Sequence, residues 1–215
     1  MRHIFLYGDS LSWGIIPMTR KRLPFESRWP GVLEGVLNSR GVPVRVTEDC
    51  LNGRRTAWDD PFKPGRNGLE GLAAKIEVHS PLALVMIMLG TNDFQSMHPH
   101  NAWHSAQGIT ALVSAIRLAP IEPGMPVPSI LIIAPPPIQN PKGPLAEKFL
   151  GAGAKCAGLA DAYREVAFSL KCHFFDSSTV TQASHDDGIH LDQHQHFELG
   201  QALADVVAGI VGPSA

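Results

Sequence analysis

The chain has 215 residues and a formal net charge of −2, with 44% hydrophobic and 18% charged residues. This balance supplies enough apolar side chains for a core and too little charge for a disordered chain. No basic block is longer than residues 20–22, which argues against a nucleic-acid-binding protein because that class depends on clustered positive charge. We expect one globular domain over residues 1–215.

The cysteines and the apolar runs indicate the cellular compartment. Cys50, Cys156 and Cys172 include no C-x-x-C pair, so we expect reduced thiols rather than a disulfide framework. The longest apolar run, residues 82–89, is too short for a membrane span. The first apolar run turns polar after four residues, too early for the core of a signal peptide. We therefore expect a cytoplasmic protein with no membrane partner.

Short apolar runs alternate with stretches of helical spacing along the chain. We predict five strands at residues 3–7, 44–47, 82–89, 129–134 and 173–175. We predict helices at residues 28–39, 69–79, 103–119, 145–170 and 197–211. This alternation predicts a three-layer α/β fold, a parallel sheet with helices on both faces. Five strands, and no G-x-G-x-x-G after the first, favour the flavodoxin-like order 2-1-3-4-5 over the six-stranded dinucleotide-binding order.

The first predicted strand leads into Gly8-Asp9-Ser10-Leu11, so Ser10 follows the carboxyl end of a buried strand. A nucleophile is well placed there, because parallel α/β sheets bind ligands beyond the carboxyl ends of their strands. Helix capping by Asp9 or Ser10 is an equally common role for these residues. The motif by itself leaves both interpretations open.

Two more polar turns follow the second and third predicted strands. Gly53, after Asn52, can present a backbone N–H with no side chain in the way, although Asn-Gly is also a plain turn sequence. Asn92 carries an amide that can donate to a developing oxyanion, with an Asx turn as the alternative. In the order 2-1-3 these turns and Ser10 follow neighbouring strands, so we expect them to converge.

A histidine-rich segment precedes the last predicted helix. Asp187 and His190 are three residues apart, which allows the carboxylate to hold the imidazole, and the order Ser, Asp, His is compatible with a hydrolytic triad. Metal binding by His185, His190, His194 and His196 is the alternative. No His-Glu-x-x-His is present, so we predict no metal and interpret the other histidines as surface residues.

Four sequence blocks in this order resemble those of the SGNH (GDSL) hydrolase family: Gly8-Asp9-Ser10-Leu11, Asn52-Gly53, Gly90-Thr91-Asn92-Asp93 and Asp187-Gly188-Ile189-His190. Four segments are similar to its bacterial arylesterase and acyltransferase branch: Ser12-Trp13-Gly14, Met88-Leu89-Gly90-Thr91-Asn92-Asp93, Pro135-Pro136-Pro137 and Phe174-Phe175-Asp176. The resemblance implies a serine esterase without a cofactor, and it implies a homo-oligomer.

The resemblance also assigns roles to individual residues. Ser10 would be the nucleophile, His190 the general base and then acid, and Asp187 the residue that orients His190. The oxyanion hole would combine the backbone N–H groups of Ser10 and Gly53 with the side-chain amide of Asn92.

Long stretches after strand ends are expected to cover the site, at residues 15–27, 94–103 and 135–144. The three consecutive prolines from Pro135 should form a stiff wall. Candidates for the lining of an apolar acyl or alcohol pocket are Trp13, Ile15, Phe94 and Ile138. Ordinary core positions are the alternative for each of these four.

The predicted function is hydrolysis of small short-acyl esters, including aryl esters, through an acyl-serine intermediate with water or an alcohol as acceptor. A deacetylase of acetylated sugars or a thioesterase is the enzymatic alternative, because the catalytic blocks do not distinguish leaving groups. A flavodoxin-like module that binds phosphate or flavin is the non-enzymatic alternative. The absence of G-x-x-x-x-G-K-[ST] and G-x-G-x-x-G at the first strand end disfavours that module.

Overall fold

A computed structural model of the chain describes residues 1–212 and contains one five-stranded sheet. Its strands are β1 (Arg2–Gly8), β2 (Val44–Cys50), β3 (Leu84–Met88), β4 (Ser129–Ala134) and β5 (His173–Asp176). All four neighbouring pairs are parallel and the order is β2-β1-β3-β4-β5. The predicted fold class and strand order are therefore confirmed.

The central strands are apolar because both of their faces are covered. Ile4, Phe5 and Leu6 of β1 are fully buried, and so is every residue of β3 to within 1%. A strand covered on both faces has no polar side and shows a continuous apolar run rather than alternation. The edge strands β2 and β5 are partly exposed and correspondingly more polar.

Helices connect and follow the strands, and within residues 1–212 there are seven: α1 (Ser10–Trp13), α2 (Trp29–Ser39), α3 (Leu72–His79), α4 (Ala102–Arg117), α5 (Ala152–Lys155), α6 (Leu159–Ser169) and α7 (Gln193–Val211). Helix α2 packs against α7, whereas α4 packs against α3 and α6. Because parallel crossovers are right-handed, these two groups cover opposite faces of the sheet.

The predicted helix over residues 145–170 is wrong, since the structure divides this stretch into α5 and α6. Gly151 and Gly158 have φ angles of +74° and +78°, outside the right-handed helical region, so a continuous helix cannot pass through them. The irregular residues 145–151 are consequently available to line a site.

Helix α7 begins four residues earlier than predicted, at Gln193. The Asp192 side chain accepts from the backbone N–H of Gln195, and the Gln195 side chain accepts from the backbone N–H of Asp192. This capping box satisfies two backbone donors and sets the start of the helix. The other element boundaries differ from the prediction by three residues or fewer.

The cysteines are all free thiols, and Cys156 is buried. Within the part of the chain that the structure describes, none of the helices has the length and apolar character that a bilayer span requires.

The register of the sheet aligns the ends of its three neighbouring strands. Gly8 at the end of β1 pairs with Cys50 of β2 and with Met88 of β3. The residues that follow these three positions therefore emerge side by side at one edge of the sheet.

Candidate active site

Ser10 is the first residue of α1, directly after β1. Asp9 caps this short helix, since its Oδ1 accepts from the backbone N–H of Leu11 at 2.9 Å. Of the two roles considered for this motif, helix capping therefore falls to Asp9. Asp9 stabilises the start of the helix, and Ser10, with 6% of its surface exposed, lines a cleft.

His190 connects Ser10 with Asp187 through its two ring nitrogens. Its Nε2 lies 3.2 Å from the Ser10 Oγ, and its Nδ1 lies 2.7 Å from the Asp187 Oδ2. The Asp187 Oδ1 also accepts from the backbone N–H groups of Ile189 and His190, both at 2.9 Å. The carboxylate therefore holds both the backbone turn and the imidazole ring, with Nε2 directed toward the serine.

The turn from Asp187 to His190 depends on Gly188. Its φ is +76°, and a Cβ there would lie 2.0 Å from the backbone oxygen of Gln139. Gln139 in turn donates its backbone N–H to the Gly188 oxygen at 3.0 Å. Only glycine allows this close approach, which anchors the turn to the segment after β4.

Asp187 is ionised at neutral pH in this environment. Burial by itself would raise the pKa of the Asp187 carboxyl, but the hydrogen bonds and charge of His190 outweigh it and lower the pKa below its ordinary value. A negative carboxylate is thereby available to stabilise an imidazolium.

Asn92 lies in a short 3-10 turn after β3, with its amide in a defined orientation. Its Nδ2 donates to the Asp9 Oδ2 at 2.9 Å and to the Arg54 backbone oxygen at 3.2 Å. Its Oδ1 accepts from the Gln95 Nε2 at 2.8 Å. Burial raises the pKa of Asp9 to about 6. Sequence reasoning did not identify this contact between Asp9 and Asn92.

The backbone around Gly53 completes this side of the cleft. Gly53 has a φ of +86° and lies in the cleft lining with Ser10, Asn92 and His190. Among residues 1–212, no acceptor is hydrogen-bonded to the backbone N–H of Ser10 or of Gly53. The three turns that were expected to converge therefore meet His190 in one cleft.

A buried carboxylate ties the loop after β2 to the turn after β3. Asp93 accepts from the Thr56 backbone N–H at 3.0 Å, from the Thr56 Oγ1 at 2.7 Å and from the Ser105 Oγ at 2.6 Å. Burial raises the pKa of Asp93, and these hydrogen bonds oppose the rise. The sequence analysis did not identify this role of Asp93. The only sequence signal for it was that Asp93 directly follows Asn92.

The four candidates for an apolar pocket are not gathered in the cleft. Ile15 lines it, but Phe94 is 0% exposed and Ile138 6% exposed, and both belong to the core. Trp13 instead packs under the Arg22 guanidinium, 4.7 Å from its ring centroid. Hydrophobic character in a loop did not distinguish a cleft wall from the core beneath it.

The cleft walls come from other residues than those expected. Beyond the catalytic candidates and Ile15 the lining comprises Arg20, Asn52, Asp60, Lys63, Leu145, Lys148, Phe149 and Ile189. Pro135 and Pro137 line a separate cavity beside Cys156, so the proline segment is not a wall of this cleft. The cleft is consequently more charged than the sequence suggested.

The remaining histidines of the 185–196 segment point to different environments. His185 is exposed and His194 lies 3.5 Å from Glu198. The expectation of surface exposure is wrong for His196, which is fully buried under α2 and accepts from the Trp29 backbone N–H at 3.2 Å. Within residues 1–212 no group of three or more His, Cys, Asp or Glu side chains is arranged to hold a metal ion.

The profile of the GDSL-like Lipase/Acylhydrolase family matches residues 6–197, most of the chain. The chain belongs to this family. A comparison with curated protein sequences found no match.

Two solved structures show how close this GDSL hydrolase is to esterases. The inhibitor-bound aryl esterase of M. smegmatis is 33% identical, with a TM-score of 0.92 over 98% of this chain and 100% of that chain. A carbohydrate acetylesterase from Sinorhizobium meliloti is 34% identical, with a TM-score of 0.91 over 97% of this chain and 99% of that chain. The family and these relatives identify the protein as an ester hydrolase with the α/β fold of its relatives.

Proposed function

We propose that this GDSL hydrolase cleaves small esters of short acyl groups, with Ser10 as nucleophile, His190 as general base and acid, and Asp187 as the residue that orients His190. The observation that carries the proposal is the hydrogen-bonded series from Ser10 Oγ to His190 Nε2 at 3.2 Å and from His190 Nδ1 to Asp187 Oδ2 at 2.7 Å. A nucleophile, a base and an orienting carboxylate within hydrogen-bond reach are the components of serine acyl transfer.

In the first half of the reaction the Ser10 Oγ bonds to the ester carbonyl carbon while His190 Nε2 takes the hydroxyl proton. The carbonyl electron pair moves onto its oxygen. When this pair returns, the bond to the alcohol oxygen breaks and His190 gives its proton to that oxygen. Asp187 stabilises the imidazolium without taking its proton.

In the second half, water or another alcohol attacks the acyl-serine. His190 removes a proton from the attacking oxygen and then returns it to the Ser10 Oγ as the acyl–serine bond breaks. Each proton that leaves an oxygen is returned to one, and every reacting group other than the substrate comes from the chain. The mechanism therefore requires no cofactor.

The oxyanion would be stabilised by three donors at the bottom of the cleft. The backbone N–H groups of Ser10 and Gly53 have no hydrogen-bonded acceptor within residues 1–212. The third donor is Asn92, whose amide is anchored by Asp9 and donates its other hydrogen to the Arg54 oxygen over the longer distance of 3.2 Å. A full negative charge on the carbonyl oxygen competes well for that hydrogen because charged acceptors form stronger bonds.

A short acyl group is favoured by the size of the cleft. Its volume is about 80 Å³, room for only a few water-sized groups. The aryl esterase relative supports aryl esters as substrates. Removal of acetyl groups from sugars is the second candidate, supported by the carbohydrate acetylesterase relative.

Labelling with a fluorophosphonate tests this proposal. The reagent should modify Ser10, and Ser10→Ala should abolish both labelling and hydrolysis of p-nitrophenyl acetate while circular dichroism shows an intact fold. Ser12→Ala is the matched control: Ser12 belongs to the same helix, and its buried Oγ has no hydrogen-bond partner among the described residues. Label on another residue, or hydrolysis by Ser10→Ala, would remove Ser10 as nucleophile.

A further inference from the structure

Three positive side chains line the cleft without an acidic partner. Arg20, Lys63 and Lys148 all belong to its lining. Within the described part of the chain, none of the three forms an ion pair with a carboxylate. Surface cations in general have no need of a partner, but these three face the volume that a substrate must occupy.

The one carboxylate in the cleft lining is already committed to another cation. The Asp60 Oδ2 accepts from the Arg55 Nη1 at 2.8 Å, and its Oδ1 accepts from the backbone N–H groups of Phe62 at 2.9 Å and Lys63 at 3.1 Å. Arg55 is fully buried, so the charge of Asp60 offsets that of Arg55. Asp60 therefore offsets the positive charge of the lining only in part, since it is one carboxylate beside Arg55 and the three lining cations.

A fourth cation borders the cleft beside Gly53. The Arg66 Nε donates to the Asn52 backbone oxygen at 3.0 Å, and its Nη1 donates to the Pro64 backbone oxygen at 3.0 Å. These partners are neutral carbonyl groups, so the positive charge of Arg66 also remains. The cleft as a whole carries a net positive charge.

The three lining cations come from three separate segments that the tertiary structure brings together. Arg20 follows α1, Lys63 follows β2, and Lys148 precedes α5, in a segment held by the Ser96 backbone N–H on the Lys148 backbone oxygen at 2.7 Å. Partial burial lowers the pKa of Lys148, and the like charges of Arg55, Lys63 and Arg20 lower it further, while the Asp60 carboxylate opposes them in part. Like charges that face one another cost free energy in the empty cleft, and a bound anion would relieve this cost.

We infer that this GDSL hydrolase prefers esters whose leaving alcohol carries an anionic group, a carboxylate or a phosphate, which Arg20, Lys63 and Lys148 bind. This inference rests on the ester hydrolysis proposed above. It assigns a substrate class to the same cleft.

The position of His190 places the anion on the alcohol rather than on the acyl group. The alcohol oxygen must approach His190 Nε2 to receive its proton. His190, Arg20 and Leu145 line both this cleft and an adjoining cavity of about 270 Å³, whose lining also includes Met18 and the Asp187 carboxylate that contacts His190. Lys63 and Lys148 line the cleft alone, on the side that meets this cavity at Arg20. A small acyl group can occupy the space beside Ser10, whereas a larger alcohol extends past His190 toward Arg20.

A matched pair of substrates tests the inference: 4-acetoxybenzoate and its methyl ester, which share the acetyl group and the ring and differ in one negative charge. The quantity measured is the ratio of kcat/KM for the anionic ester to that for the neutral ester. Each of Arg20→Gln, Lys63→Gln and Lys148→Gln should lower this ratio about threefold, and the double variant of the two lysines about tenfold. The ratio cancels any common effect of a substitution on the chemistry, and its comparison between variant and wild type cancels the difference in intrinsic reactivity between the two esters.

Two controls separate local binding from overall charge. Lys171→Gln removes the same charge from an exposed position before β5. This position lies at the amino-terminal ends of the strands, whereas the cleft lies at their carboxyl ends, so the ratio should be unchanged. Added NaCl should lower the ratio of the wild-type enzyme, because exposed charges are screened. A ratio that falls equally in Lys171→Gln would assign the preference to net charge and overturn the inference.

The outcomes distinguish this inference from the proposed function. If the wild-type enzyme hydrolyses neither ester, the proposed function fails. If it hydrolyses the neutral ester and the ratio is the same in all variants, the inference alone is overturned. A parallel pair, mono-p-nitrophenyl succinate and p-nitrophenyl pentanoate, carries the charge on the acyl side. A dependence on the three cations confined to that pair would overturn the assignment to the alcohol.

Discussion

Asn92 donates from its side-chain amide to the buried carboxylate of Asp9 across 2.9 Å, joining the turn after β3 to the turn after β1. The same carboxylate caps the helix that begins with Ser10. One buried acid therefore positions both the proposed nucleophile and a proposed oxyanion donor. This relationship gives Asp9 a role in the site as a positioning residue that does not itself contact the substrate.

Replacement of Asp9 by Asn should change how stability depends on pH. Burial raises the pKa of folded Asp9 to about 6, above its unfolded value, so the folded state binds this proton more tightly. The stability that the protonated group contributes is present below about pH 4 and is lost as pH rises toward 6. The unfolding free energy of Asp9→Asn relative to wild type should therefore increase by about 2 kcal/mol from pH 4 to pH 7. Urea unfolding at several pH values measures this, and a constant difference would contradict it.

Asn92→Ala should act on the chemical step. In other enzymes, the loss of one oxyanion donor lowers kcat by about 10²–10³, or roughly 3–4 kcal/mol, and we expect the same here with little change in KM. Steady-state kinetics with p-nitrophenyl acetate measures both constants. A change confined to KM would instead make Asn92 a substrate-binding residue.

Asp187 and its neighbour Asp186 form a built-in comparison. Asp187 is buried and contacts His190, whereas Asp186 is exposed and its carboxylate has no hydrogen bond among the described residues. Asp187→Asn should lower kcat about 10⁴-fold, because an amide holds the wrong imidazole tautomer and cannot stabilise the imidazolium. Asp186→Asn should change kcat by no more than about threefold. The reverse order of damage would transfer the orienting role to Asp186.

His196 should contribute to acid sensitivity with a sign opposite to that of Asp9. Burial lowers the pKa of folded His196 to about 3, so below about pH 6.5 only the unfolded state takes up this proton. Stability is therefore lost as pH falls from 6.5 toward 3. His196→Gln, which cannot titrate, should reduce the loss between pH 6.5 and pH 4 by about 3 kcal/mol, measured by urea unfolding. An equal loss in both proteins would contradict the prediction.

The fold followed from local pattern because strand and helix formation depend on residues close together in the chain. Continuous apolar runs such as Leu84–Met88 mark strands covered on both faces, and strict alternation with helices leaves few topologies. The same pattern placed Ser10, Gly53 and Asn92 after neighbouring strands. Their convergence required only a parallel sheet, although their catalytic roles stay predictions.

The local sequence pattern was insufficient where a backbone dihedral angle, or packing against residues distant in the chain, determined the structure. The periodicity of residues 145–170 did not reveal that Gly151 and Gly158 adopt positive φ angles. Phe94 and Ile138 are apolar residues in loops, and only packing shows that they face the core. His196 lies in the first turn of α7, where a polar side chain is commonly exposed. The packing of α7 on α2 buries it instead.

The sequence by itself determined the sheet, its order and the positions of the proposed reactive groups, since each follows from residues adjacent in the chain. Only the tertiary structure decided which charges surround them. Arg20, Lys63 and Lys148 belong to three loops far apart in the sequence, and no local hydrogen bond or periodicity relates them. Their meeting depends on the packing of the segments that carry them, because loop side chains take their positions from distant contacts rather than from their neighbours in the chain.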